Sequence, residues 1–182
     1  MLSSYECIKA KRCYHASFLS DNYVRFYLKF ILPHGDKIQN GRFQDMEMEN
    51  FPGWRTMLSI QFENLVLKNR KKIWEILKIK SSDIVLDNPF FQRKTGVTSG
   101  CQIDYLIQTR FNTLFACEVK FSQTEINPSI IQEMREKLTR LSLPRRFSCW
   151  PVLIHVNGVE EGVLDRGYFT KVIDFSQLLQ KV

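Results

Sequence analysis

The sequence predicts a single α/β (α+β) body, a mixed central sheet flanked by helices, with an N-terminal helical extension. Three observations point there. Helical and strand-like apolar periods alternate along the chain in the order helix, three strands, helix, strand, with a strand and a helix appended. Hydrophobic residues make up 44% and aromatic ones 13% of the 182 residues, enough for one well-buried core. Only 8 Gly and 6 Pro punctuate it, so regular elements joined by short connections are expected.

Residues 1–19 show no clear period. Ser20-Asp21 is a plausible N-cap pair, after which Tyr23, Phe26, Tyr27, Phe30 and Ile31 fall on one helical stripe. Pro33 and Gly35 are expected to stop that helix. The acidic, Met-rich stretch Gln44–Asn50 and the turn Phe51-Pro52-Gly53 read as a linker. They divide an extension over residues 1–50 from the main domain over residues 51–182. The longest helical pattern runs from Trp54 to Ile79, with Leu58, Phe62, Leu65, Ile73, Ile76 and Leu77 among its apolar positions. Glu63 interrupts it, either as a border residue reaching solvent or as a carboxylate pointing into a site.

Phe90–Lys94, Cys101–Gln108 and Leu114–Phe121 have strand-like composition and are separated by turn residues. Pro128 suits the first position of a helix ending at Leu141, with Ile130, Ile131, Met134, Leu138 and Leu141 apolar. Ser148–Val156 is a further apolar strand, Tyr168–Ile173 a last one, and Phe175–Val182 a terminal helix.

The balance of 26 Lys and Arg against 19 Asp and Glu, a formal +7, suits a polyanionic partner, although a merely soluble basic surface explains it equally well. The clusters Lys9–Lys11–Arg12, Lys68–Arg70–Lys71–Lys72 and Arg145–Arg146 are dispersed, so any basic patch has to be assembled by folding. Five scattered cysteines contain no CxxC pair; Cys117 and Cys149 read as small core residues. Cys7, Cys13 and His15 lack a fourth ligand at zinc-site spacing, and a reduced, cytoplasmic setting fits this usage. No apolar stretch approaches the roughly 18 residues that span a bilayer, and no signal-peptide core follows the early basic residues, so no membrane partner is expected.

The chemistry is concentrated in two apolar strands. Gly100-Cys101-Gln102-Ile103-Asp104-Tyr105-Leu106-Ile107-Gln108 is followed by Leu114-Phe115-Ala116-Cys117-Glu118-Val119-Lys120. Both belong at the centre of a sheet, where a charge is costly unless it is paired, hydrogen-bonded or bound to metal. A connection centred on Phe111 pairs residues whose numbers sum to about 222. Asp104 then faces Glu118, Gln102 faces Lys120, and Lys120 shares the Glu118 face, while Ile103, Tyr105, Cys117 and Val119 turn to the other side. Facing carboxylates repel unless a proton or cation intervenes, and such an oxygen pair suits Mg²⁺ or Mn²⁺. A salt bridge of Lys120 with one acid is the alternative; it leaves the other acid unpaired.

An acid after a Gly-containing turn (Asp104), Glu118-Val119-Lys120 on the next strand, an upstream helical Glu63 and the α-β-β-β-α-β order together resemble the PD-(D/E)XK nuclease superfamily. More closely, Ser20-Asp21-Asn22-Tyr23-Val24-Arg25-Phe26-Tyr27, Phe62-Glu63-Asn64, Gly100–Asp104 and Cys117–Lys120 resemble the C-terminal, nuclease-like region of a prokaryotic AAA-type ATPase family, over roughly residues 18–182. The chain contains no GxxxxGK[ST] and has no room for an ATPase module, so it reads as a detached C-terminal portion, with residues 1–19 a winged-helix remnant.

The resemblance implies a restriction-endonuclease-like core and hydrolysis of phosphodiester bonds in nucleic acid, DNA in first place. Asp104, Glu118 and the Val119 carbonyl would hold Mg²⁺ or Mn²⁺. Lys120 would position water and stabilise developing charge; to act as a general base instead, it would need a strongly lowered pKa. Glu63 would complete the site from the first helix. Gln92, Lys94, Gln102, Gln132 and Arg135 are the expected nucleic-acid contacts, though solvated surface positions explain them as well. Two further readings stay open: a nucleic-acid-binding module that does not cut, and a regulatory domain whose partner is a separate ATPase.

Overall fold

A computed structural model describes residues 21–43, 47–96 and 99–179. Ser20, Cys7, Cys13, His15, the basic cluster near residue 10, part of the acidic linker and the end of the last helix lie outside them.

Asp21 caps the first helix, its carboxylate accepting from the Tyr23 and Val24 amides at 2.8 and 3.0 Å. The expected single helical stripe is wound in successive short pieces: α1 (Asn22–Phe26), a π-helical turn (Tyr27–Ile31), a 3-10 turn (Leu32–His34) and α2 (Gly35–Gln39). Pro33 and Gly35 therefore do not end the path. A proline is tolerated in the first turn of a helical piece, and Pro33 occupies that place in the 3-10 turn. Phe26 and Phe30 meet Trp54 edge-on at 6.3 and 5.8 Å, seating this segment on the start of the longest helix.

That helix is two: α3 (Trp54–Lys68) and α4 (Arg70–Ile76). Asn69 breaks it, its side-chain amide donating to the Leu65 carbonyl at 2.9 Å, the local bonding by which asparagine competes with a continuing helix.

Five strands form one mixed sheet in sequence order: β1 (Ile84–Gln92), β2 (Cys101–Thr109), β3 (Thr113–Lys120), β4 (Ser148–His155) and β5 (Lys171–Asp174). β1–β2 and β2–β3 are antiparallel, while β3–β4 and β4–β5 are parallel. The parallel steps are crossed by α5 (Ser129–Arg140) and by a short α6 (Glu161–Asp165), which the sequence did not lead us to expect. α7 (Phe175–Leu179) follows β5. β1 begins six residues before its expected start, because the Asp87-Asn88-Pro89 run hides a strand that Pro89 can join only at a sheet edge, and β1 is that edge.

Alternating side chains split the core between the two faces. Leu106, Leu114, Ala116 and Leu153 pack against Ile130, Ile131 and Met134 of α5. Tyr105, Ile107, Cys117, Val119, Val152 and Ile154 pack against Phe62, Val66 and Ile73 of α3 and α4. Tyr105 is also tied down at its polar tip, accepting from the Trp74 indole at 2.8 Å. Among the described residues no helix is long and apolar enough to cross a membrane.

Candidate active site

The β2–β3 register follows the expected arithmetic: Tyr105–Cys117, Leu106–Ala116, Ile107–Phe115 and Gln108–Leu114 are partners, each pair summing to 222. The ladder stops there, one step short of Asp104 and Glu118. On the other side of β2 the register slips, since Asn88 pairs with Leu106 but Phe90 pairs with Ile103. Two residues of β2 thus oppose Pro89 alone, which has no amide proton to offer; this is a bulge, a device that bends a strand and re-aims its side chains.

Two expectations change as a result. Ile103 joins Leu106 in the α5-side core instead of turning to the Tyr105 side. Gln102 pairs with Phe91 of β1 and forms no ladder pair with Lys120. Asp104, sitting in the bulge, sends its carboxylate to the β3 backbone, where Oδ2 accepts from the Val119 amide at 3.0 Å.

The opened end of the hairpin borders a cavity of about 460 Å³ lined by Glu63, Asp104, Glu118, Val119 and Lys120, the five residues singled out for catalysis or metal binding. Glu63 comes from α3, with Ser59 one turn before it also on the wall. Gln102 is at the rim too. The other expected nucleic-acid contacts lie elsewhere. Gln92 ties loops together, donating to the Ser99 and Arg140 carbonyls and accepting from the Ser142 amide. Gln132 bonds Glu136 along its own helix, Arg135 stacks over Tyr168 at 5.0 Å, and Lys94 is exposed beyond the end of β1. None of these four is on the cavity wall.

Two cations on that wall were not anticipated, Lys137 and Arg140 of α5. Lys137 reaches Glu118 Oε2 at 2.5 Å, while Lys120 reaches Glu118 Oε1 at 3.2 Å and Glu133 at 2.9 Å. Glu118 is 2% exposed, so this double ion pair answers the cost of burying its charge. The salt-bridge alternative for Lys120 is present, and Asp104 is answered by the charge of Lys137 and, after it, by the Val119 amide. The signal for Lys137 was available: Ile130, Met134, Lys137 and Leu141 recur at helical spacing, so a lysine interrupts a buried stripe.

Burial lifts the Glu63 carboxyl from its ordinary 4.5 to about 7, with the charges of Asp104 and Glu118 pushing the same way. Burial, then the Glu118 charge, likewise raises Asp104. For Lys120, burial pulls downward, but the hydrogen bond to Glu133 and the charge of Glu118 outweigh it and hold the ammonium above its usual value. That direction opposes a general-base role and favours a fixed positive charge.

An acid whose folded pKa lies above its unfolded one contributes stability that is complete below the unfolded value and is lost as pH rises through the folded value. The metal-free protein is therefore expected to lose stability as pH rises from about 5 to about 8, by on the order of 1 kcal/mol from the partly buried Glu63 after solvent screening. Glu63→Gln should flatten that slope. Urea denaturation in a chelator at both pH values measures it; equal slopes for the two proteins would contradict the assignment.

The donors offered to a cation are hard oxygens, Asp104 and Glu118 with the Val119 carbonyl, and they fit Mg²⁺ or Mn²⁺ in chemical type. Among the described residues no group of three or more His, Cys, Asp or Glu is gathered tightly enough to hold an ion, so water would have to complete the shell. Burial first, and after it the charge of neighbouring carboxylates, raises Glu63 and Asp104, and a bound cation would offset the second of these. An ion held by Glu118 would compete with the Lys120 and Lys137 ammoniums for its oxygens. The chain matches no known protein family, no curated protein and no solved structure.

Proposed function

We propose that this chain hydrolyses phosphodiester bonds in nucleic acid, DNA in first place, with a divalent metal, on a restriction-endonuclease-like core of the PD-(D/E)XK type. The observation that carries the reading is the lining of one cavity by Glu63, Asp104, Glu118 and Lys120 where β2 and β3 part. The helix, three strands, helix, strand order and the formal charge of +7 support it.

Asp104, Glu118 and the Val119 carbonyl would hold Mg²⁺ or Mn²⁺, whose role when bound is to neutralise phosphoryl charge and make water easier to ionise. Lys120, fixed between Glu118 and Glu133, presents a permanent positive charge towards a phosphate in the cavity. Glu63, with its pKa near 7, accepts or returns a proton at neutral pH from its place on α3. Lys137 and Arg140 supply two more cations for the incoming phosphates.

One observation favours a second reading. Both oxygens of Glu118 are already matched by lysines, as they would be in a domain that binds nucleic acid or regulates a separate AAA-type ATPase without cutting. The two readings part in one experiment: purified protein is incubated with plasmid, single-stranded and branched DNA in Mg²⁺ or Mn²⁺. Cleavage that disappears in chelator and in Asp104→Ala and Lys120→Ala is the expected result. Wild-type turnover no higher than that of these variants would sink the nuclease reading. Salt-dependent DNA binding that survives both substitutions would then support the silent binder.

A further inference from the structure

We propose that a second cavity, beside the first, receives an unstacked nucleobase next to the phosphate being cleaved; the identity of that phosphate site rests on the nuclease reading. The second cavity, about 310 Å³, lies between the C-terminal half of α3 and the β1–β2 edge. Glu63, Gln102 and Asp104 line both spaces, so an occupant of one is a near neighbour of an occupant of the other. A nucleotide has this shape, a charged phosphate joined through a sugar to a flat, largely apolar base.

The walls match the base half. Leu67, Pro89 and Phe91 offer apolar surface, and Phe91 is 42% exposed, a large aromatic ring presented at the surface beside a catalytic cavity. Aromatic rings serve as stacking platforms for bases regardless of sequence. Asn64 and Asn88 add side-chain amides, which pair with base edges as both donor and acceptor. Asn64 is oriented from outside, donating to Asn22 of α1 at 3.1 Å. Lys68 is exposed at the cavity and suited to a flanking phosphate. Arg70 is engaged with Asp87 at 3.2 Å and with the Leu67 carbonyl, so it braces the wall. A planar, amide-edged ring would be matched on both its face and its edge.

A base in this cavity is out of a duplex stack, so the preferred substrate is single-stranded, frayed or branched nucleic acid. The test measures binding of a short fluorescent single-stranded DNA, and of the same strand with one central abasic position, to the full chain in Ca²⁺. Wild type should favour the complete strand over the abasic one. Phe91→Ala should weaken the complete strand about tenfold and the abasic strand little, removing the preference. Phe91→Trp, which keeps the platform, should restore it and so separate lost stacking from lost folding. Binding of both strands with equal affinity by wild type, or a preference that survives both Phe91→Ala and Asn88→Ala, would overturn the base pocket. The nuclease reading is judged apart, by metal-dependent cleavage: a base preference without cleavage retains this pocket and removes the enzyme.

Discussion

Under the proposed nuclease function, Glu118→Gln is expected to lower metal-dependent cleavage by on the order of a thousandfold, the several kcal/mol that a charge-bearing ligand in a buried site would supply. Glutamine keeps the shape and removes the charge. The side chain is 2% exposed, with Lys120 at 3.2 Å on one oxygen and Lys137 at 2.5 Å on the other. An amide there turns an NH₂ towards one ammonium, so the variant loses attraction and gains a donor–donor clash. Single-turnover cleavage at saturating Mn²⁺ measures the effect. A rate within tenfold of wild type would remove Glu118 from the chemistry.

Lys137→Met should destabilise the metal-free protein by about 1–3 kcal/mol, because it leaves a buried carboxylate with one cation in place of two. Full loss of a buried pair costs more, but Lys120 remains beside Glu118 and Lys137 itself is 27% exposed. The loss should shrink in Mn²⁺. With the competing ammonium gone, the variant should bind the ion more tightly than wild type and recover the lost stability, an ion at a hundred times its dissociation constant contributing about 2.7 kcal/mol. Denaturation curves with and without Mn²⁺ decide this. A variant destabilised equally in both conditions would show that Lys137 guards no metal site.

These two expectations share a physical origin, the competition between fixed ammonium groups and a divalent ion for one buried carboxylate. Its outcome would separate a nuclease from a silent binder at this cavity. That competition is also why the proposed test of function needs metal titration as well as active-site substitution.

Much of this arrangement is written locally. The hairpin register follows from a three-residue connection, and its sum of 222 holds for every recorded β2–β3 pair. Asp104, Glu118 and Lys120 stood out because charges in apolar strands need partners, and each has one. The α5 boundaries and its buried face were likewise readable from helical spacing. Less readable were features in which a local pattern is overruled from a distance. Trp54–Ile79 looks like one helix until Asn69 bonds back to Leu65. Gln132 and Arg135 look as eligible for phosphate contact as Lys137 and Arg140 until α5 is laid on the sheet. Its rotation, set by Ile130 and Met134, then brings the latter pair to the cavity.

The sequence by itself determined the alternation of faces and the hairpin register from Tyr105–Cys117 to Gln108–Leu114, and the cost of three charges in apolar strands, since each depends only on near neighbours and on solvation. Tertiary structure decided what answers those charges. Pro89 on a neighbouring strand accompanies the bulge that turns Asp104 to the Val119 amide, and α5 brings Lys137 across to Glu118. Ion pairing and bulge placement are properties of elements distant in sequence, and only packing brings them within reach of each other.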